Sequence, residues 1–163
     1  MIDRLCPQNG DGFCAVLSEE QVEQIRAYAK ESYPRECCGI LVGIRGDKAL
    51  VWLVQPAENV DQTRAQDRYR IDPREILKAD RAAETSGGEV IGFYHSHPDH
   101  PAAPSASDLE YAWPGYIYLI ASVSAEGETE VRAWSYDEEQ GRFHEQLIHV
   151  TRPVGASGGR QTL

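Results

Sequence analysis

The fifteen residues from Tyr94 to Asp108, YHSHPDHPAAPSASD, hold three of the five histidines of the chain. His95 and His97 stand two residues apart at the end of an apolar run that predicts a β-strand, so their side chains leave the same face of the sheet. Two imidazoles on one face are a typical part of a zinc site. The sequence therefore predicts a metal centre at this strand end.

Two sets of further ligands fit the same letters. The first is H-x-H-x-D-H, in which Asp99 and His100 join the two histidines, and it resembles the dinuclear zinc motif of metallo-β-lactamase-like hydrolases. That class needs further ligands from later parts of a longer two-layered sandwich. Only two histidines follow in this chain, both near the end of its 163 residues, which argues against this first set.

The second set skips seven residues after His97 and takes Ser105 and Asp108. These two lie one helical turn apart, so a hydroxyl and a carboxylate would share one helix face. Two histidines and one carboxylate leave a fourth position for water, which is typical of a catalytic zinc site. Taken alone, the stretch also suits a helix N-terminus, for which Ser107 is a candidate cap. Amide hydrolysis would further need a proton carrier from elsewhere in the chain.

A segment about sixty residues upstream offers that carboxylate. Pro34 to Gly43 reads PRECCGILVG, similar to the P-x-E-x-C-G-x-L-x-G segment that carries the catalytic glutamate of the MPN-domain zinc metalloproteases. The downstream H-x-H, seven residues, S-x-x-D matches the JAMM signature of the same family. Both halves occur in the right order, and the resemblance extends from about Leu17 to Phe143.

The resemblance implies a role for each matching position. The ligands of one zinc ion per chain would be His95, His97 and Asp108. Glu36 resembles the general acid/base, and Ser105 resembles the hydroxyl that stabilises the developing oxyanion.

Four neighbouring residues have no catalytic role in this interpretation. Asp99 and His100 are expected to be loop residues at the rim of the site. Cys37 stands where many relatives have a small residue, and Cys38 matches the family cysteine. We predict that Cys37 is a small buried residue rather than a catalytic thiol.

The family resemblance also implies a substrate. It points to hydrolysis of an amide or isopeptide bond after the C-terminal Gly-Gly of a ubiquitin-like protein, since glycines pass through a groove too narrow for side chains. Short prokaryotic members act on sulfur-carrier proteins of β-grasp fold and release an amino acid such as cysteine, which would link the chain to cysteine biosynthesis. Two alternatives stay open: a noncatalytic MPN scaffold that only binds a ubiquitin-like partner, and a small-molecule zinc amidase.

Composition limits the partners and the location. Lys and Arg total 16 against 26 Asp and Glu, a net charge of -10, which argues against nucleic acid and anionic membranes as partners. There is no signal peptide pattern at the N-terminus, and the longest uncharged apolar run, 116–123, is far too short to span a membrane. With no CxxC pattern among four cysteines, we expect reduced thiols and a cytoplasmic protein.

The elements that must position the site predict an α+β fold with a mixed, mostly antiparallel sheet and helices packed on it. The family resemblance implies a single MPN/JAMM domain with a cytidine-deaminase-like architecture. We place this domain at residues 13–150, between a flexible leader over 1–12 and a disordered tail over 151–163. Ser18 with Gln21 and Asp72 with Pro73 are predicted helix starts, and Arg68 to Ile71 is predicted to be a brief strand.

Overall fold

A computed structural model describes residues 14–153, and within this range the strands form one sheet. The strands are β1 (Cys14–Ser18), β2 (Cys38–Arg45), β3 (Lys48–Ala57), β4 (Glu89–Pro98), β5 (Ile117–Val123), β6 (Thr129–Asp137) and β7 (Arg142–Thr151). The helices are α1 (Glu19–Ser32), α2 (Pro73–Glu84) and α3 (Ala106–Glu110). None of these helices has the length and apolar character that crossing a membrane requires.

The sheet is mixed and closes on itself in the order β1-β3-β2-β4-β5-β6-β7. β1 lies parallel to both β3 and β7, and β4 lies parallel to β5, whereas the other pairs are antiparallel. The predicted α+β class is confirmed. The sequence analysis does not predict that the sheet closes into a barrel, because pairing of the first strand with the last depends on contacts that the sequence pattern does not reveal.

Two helices begin where the sequence predicts. The Ser18 hydroxyl accepts a hydrogen bond from the Gln21 backbone N–H at 3.1 Å, and the Gln21 side chain accepts one from the Ser18 N–H at 2.9 Å. Asp72 caps α2 by accepting from the Arg74 N–H at 2.9 Å, with Pro73 as the first helical residue. Both starts are stabilised by satisfying N–H groups that have no partner inside the helix.

The two long helices cover opposite faces of the sheet. Val22, Ile25 and Ala29 of α1 are buried in the larger core cluster. Ala79 and Ala83 of α2 pack in a second cluster with residues of β2 and β4. β2 and β4 therefore lie between two apolar layers, which explains why both read as nearly continuous apolar runs.

Three predictions need correction. Residues 68–71 form no strand, because the side chain of Asn59 binds their backbone in place of a neighbouring strand. Cys14 is disulfide-bonded, so the expectation of reduced thiols is wrong for this residue, although Cys37 and Cys38 are free. Finally, β7 includes Thr151, the first residue of the predicted tail; the rest of that tail beyond residue 153 and the predicted leader lie outside the described residues.

Close packing at Gly39 fixes the pairing of β2 with β4. Gly39 faces Tyr94 in the register that also sets Cys38 opposite His95. A Cβ atom built at Gly39 would overlap the Tyr94 ring and the Gln55 carbonyl oxygen. Tyr94 is fully buried and stacked against Tyr28 of α1, with 6.4 Å between ring centroids, so it cannot move aside easily.

We therefore expect Gly39→Ala to destabilise the protein by about 1–3 kcal/mol, the usual cost of overpacking a core. Gly46→Ala is the matched control, because a Cβ there meets nothing within 4 Å. Urea denaturation of both variants measures the difference. Equal unfolding free energies for the two variants would contradict the packing role of Gly39.

Candidate metal centre

The end of β4 brings two histidine side chains together. His95 and His97 are both buried, and their Nε2 atoms lie 3.1 Å apart. His97 Nδ1 lies 2.9 Å from the carbonyl oxygen of Pro101, which can only accept. Nδ1 must therefore carry the proton, which leaves the Nε2 lone pair of the neutral imidazole directed at the other histidine.

Helix α3 supplies the third side chain of the group, Asp108. Ser105 is the N-cap of α3, rather than Ser107, and Asp108 is its third residue. Asp108 Oδ2 accepts a hydrogen bond from the Ser105 N–H at 2.8 Å and lies 3.1 Å from His97 Nε2. The other oxygen, Oδ1, lies 3.1 Å from His95 Nε2. The cap thus holds the carboxylate against both imidazoles.

These three side chains fit a metal ion. One ligand atom from each lies within 4.8 Å of the others, and no other group of this kind occurs among residues 14–153. Tetrahedral zinc holds histidine nitrogens at about 2.0–2.1 Å, which places neighbouring donors about 3.3 Å apart. The observed separations of 3.1 Å are close to that value. The centre can therefore hold one metal ion on two nitrogens and one carboxylate.

The protonation states also suit metal binding. Burial lowers the pKa of His95 and keeps its imidazole neutral. For Asp108, burial opposes ionisation, but His95, His97 and the Ser105 N–H together hold its pKa well below the usual range. Metal ligands must be neutral imidazoles and ionised carboxylates, and these directions favour both for His95 and Asp108. For His97, burial lowers the pKa, but the contacts with Asp108 and the Pro101 carbonyl raise it above the usual value, so a metal ion competes with a proton at this imidazole.

Glu36 lies beside this group. Its side chain is buried, and Oε1 lies 4.0 Å from His97 Nε2. Burial raises the pKa of Glu36 to about 8, an effect that the nearby His97 opposes and Asp108 reinforces. A carboxyl group in this state can hold or release a proton near neutral pH.

A serine between the two histidines sets the position of Glu36. The Ser96 hydroxyl accepts a hydrogen bond from the Cys37 N–H at 2.8 Å, and the Ser96 N–H donates to the Cys37 carbonyl at 3.0 Å. Sequence reasoning missed Ser96, although its place between two ligands on the opposite face of the strand was a usable signal. It also missed Tyr69, whose ring stacks on His95 with 4.4 Å between centroids.

The residues of the dinuclear alternative lie elsewhere. Asp99 Oδ2 accepts a hydrogen bond from the Tyr33 hydroxyl at 2.7 Å, and its backbone has a positive φ of 57°. Asp99 and His100 are exposed and do not belong to the metal-binding group. Cys37 is buried, and burial raises the pKa of its thiol to about 11, which suits a packing residue and not a nucleophile.

Comparisons with known proteins agree with this geometry. A family model of prokaryotic homologs of the JAB domain matches residues 18–137. A desampylase from Haloferax volcanii is 37% identical over 127 residues, 75% of this chain and 88% of that protein. A CysO-cysteine peptidase from Mycobacterium tuberculosis is 29% identical over 147 residues, 88% and 95% of the two chains. The solution structure of a protein from Desulfitobacterium hafniense has a TM-score of 0.75 and 33% identity, and covers 85% and 94%.

The matched range includes the three metal-binding side chains as well as Glu36 and Ser105. It also agrees closely with the extent of the resemblance found in the sequence. The names of these two relatives, a desampylase and a CysO-cysteine peptidase, are names of hydrolases. The chain therefore belongs to the prokaryotic JAB-domain family, the JAMM-type peptidases.

Proposed function

We propose that this protein is a zinc-dependent peptidase that hydrolyses the amide or isopeptide bond after the C-terminal Gly-Gly of a ubiquitin-like or sulfur-carrier protein. The observation that carries the proposal is the buried Glu36 carboxyl 4.0 Å from His97 beside a complete His-His-Asp group. A scaffold that only binds a partner has no need for these five side chains together. The desampylase and the CysO-cysteine peptidase support the substrate class.

Zinc is the metal we propose for this centre. Two imidazoles and one carboxylate are the donors of many catalytic zinc sites, whereas calcium and magnesium prefer oxygen donors alone. When bound, zinc acts as a Lewis acid and lowers the pKa of a bound water to about 7. The donors are His95, His97 and Asp108.

Glu36 is proposed to hold and move the proton. Its backbone N–H donates to the Ala65 carbonyl at 2.8 Å, and the next residue, Cys37, is bound by Ser96. These contacts fix the backbone of Glu36, whose carboxyl lies beside the metal-binding group. In this position it takes a proton from the attacking water and delivers it to the leaving amine.

Ser105 is proposed to stabilise the oxyanion. Its hydroxyl oxygen accepts a hydrogen bond from the Asp108 N–H at 3.1 Å, and this contact leaves the hydroxyl proton free to donate. A donor that is already fixed by a helix cap requires little reorganisation when negative charge develops on the substrate carbonyl. We also propose a cytoplasmic location. The free thiols of Cys37 and Cys38 support a reducing compartment, whereas the disulfide of Cys14 opposes it, and cell fractionation decides between the two.

The two aspartates of the Tyr94 to Asp108 stretch should behave differently. Asp108→Ala removes a donor and should abolish stoichiometric zinc binding and peptidase activity. Asp99→Ala removes the hydrogen bond to Tyr33 and puts a less favourable residue at the positive φ of 57°, and it should retain zinc and most activity. Metal analysis of the purified variants measures this, and the reverse pattern would restore the dinuclear interpretation.

Glu36→Gln should retain zinc and lower kcat by about 100-fold or more, the usual contribution of general acid/base catalysis. The measurement is cleavage of a carrier protein bearing a Gly-Gly adduct, followed by mass spectrometry, together with metal content. Loss of zinc along with activity would indicate a structural role instead. A wild type that cleaves free dipeptide amides as readily as the carrier would favour the small-molecule amidase.

The free energy of unfolding of the metal-free protein should depend on pH through the Glu36 carboxyl. Because the folded-state value of about 8 exceeds the ordinary value of 4.5, the stability linked to this group is complete below pH 4.5 and is lost as the pH rises through 8. The free energy of unfolding of Glu36→Gln relative to wild type should therefore increase from pH 5 to pH 8. Urea denaturation in a chelator checks this, with Glu31→Gln on the exposed face of α1 as control. No change with pH would contradict the burial effect.

A further inference from the structure

A fixed stretch of irregular chain borders the metal centre. The Asn59 side chain donates to the Arg68 carbonyl at 2.9 Å and accepts from the Arg70 N–H at 3.0 Å. The Val60 N–H donates to the Arg70 carbonyl at 2.9 Å, and the Arg68 N–H donates to the Arg64 carbonyl at 2.8 Å. These hydrogen bonds hold the backbone of residues 68–70 in place of a neighbouring strand.

This stretch lies directly beside the proposed zinc ligands. Tyr69 stacks on His95. Arg68 is the preceding residue, so its Cα atom is about 3.8 Å from the Cα atom of Tyr69. Arg68 and Asp108 line the same cavity, which has a volume of about 520 Å³. A group bound to Arg68 therefore shares this cavity with one of the proposed zinc ligands.

The Arg68 guanidinium forms no ion pair or hydrogen bond with an acid in the described part of the chain, although its charge helps to lower the pKa of Asp61 and of Asp67. Its Nε atom is buried without a hydrogen bond, and its guanidinium lies over the Tyr111 ring at 6.0 Å from the centroid. Asp61 and Asp80 line the same cavity, yet neither forms an ion pair with it. Other arginines do form ion pairs with acids: Arg26, Arg45, Arg64, Arg74, Arg132 and Arg152.

Arg70 also lines this cavity without an ion pair, but its side chain is exposed, whereas Arg68 is half-buried with its Nε atom covered. A planar guanidinium can donate two parallel hydrogen bonds to the two oxygens of one carboxylate. A substrate of the proposed reaction offers such a group at this place. If the released residue is a single amino acid in peptide linkage, its free α-carboxylate is separated from the scissile nitrogen only by Cα.

We propose that Arg68 binds the free α-carboxylate of the amino acid that is released. The protein would then prefer a carrier extended by one terminal residue over a carrier joined through an isopeptide bond to a lysine, which has no carboxylate at that position. This inference rests on the proposed function and makes its substrate more specific. An acidic side chain of the carrier is the other possible source of a carboxylate, and the two sources are separable.

The test uses one bacterial sulfur-carrier protein extended by a single alanine after Gly-Gly, prepared with a free carboxylate and with a C-terminal carboxamide. Values of kcat/KM for the two forms are compared in wild type, Arg68→Gln and Arg64→Gln. Arg64 is the matched control, because it lies in the same segment, is paired with Asp67 and does not line the cavity. Dissociation constants for both forms, measured with Glu36→Gln and with Glu36→Gln/Arg68→Gln, give a second readout that does not depend on turnover.

We expect wild type and Arg64→Gln to favour the free carboxylate by about tenfold or more, as a charge-assisted contact does. In Arg68→Gln the ratio should fall close to one, in kcat/KM and in binding. If Arg68→Gln lowered kcat/KM equally for the free-carboxylate and the carboxamide form, the ratio of the two values would not change. Arg68 would then bind the carrier and not the released residue, which would overturn the inference and leave the proposed function intact. A wild type that neither cleaves nor binds either form would overturn both.

Discussion

Ser96 binds both the N–H and the carbonyl group of Cys37, at 2.8 and 3.0 Å, and this double contact joins the two halves of the site. On one side of it stands Glu36, and on the other stand the two histidines, almost sixty residues further along the chain. Because β2 and β4 are antiparallel and packed around Gly39 and Tyr94, the carboxyl and the imidazoles cannot shift independently. These contacts fix the backbone from which Glu36 and His97 extend, and the two side chains lie 4.0 Å apart.

Asp108 has two roles in the same structure. Its carboxylate completes the capping box of α3, and it also faces both histidines. A helix of only five residues has little stability of its own, so the cap and the loop that leads to it must hold the carboxylate in place. The Pro101 carbonyl, which accepts from His97, belongs to that loop, so α3 and the strand end are tied to each other at two points.

Much of the site could be predicted from the sequence because its residues are defined by local spacing. His95 and His97 alternate on a strand, and Ser105 and Asp108 are one helical turn apart. Other features depend on contacts between distant segments, and no local pattern reports them. Closure of the sheet through β1 and β7 is one example, and the hydrogen bond from Tyr33 to Asp99 is another. The predicted strand at 68–71 failed for the same reason, since an apolar-polar alternation cannot reveal that Asn59 replaces the neighbouring strand.

Because Asn59 takes the place of a neighbouring strand, the wall of the cavity at residues 68–70 is built separately from the sheet. The segment between β3 and α2 contributes no strand to the barrel, and the Asn59 side chain, together with the Val60 N–H and the Arg64 carbonyl, fixes its conformation at 68–70. The sheet pairing does not depend on this segment, but the Ala65 carbonyl accepts from the Glu36 N–H and Tyr69 stacks on His95, so the segment still contributes to the positions of Glu36 and His95. A change of length that spares Ala65 and Tyr69 would therefore reshape the cavity wall formed by this segment without moving the metal centre.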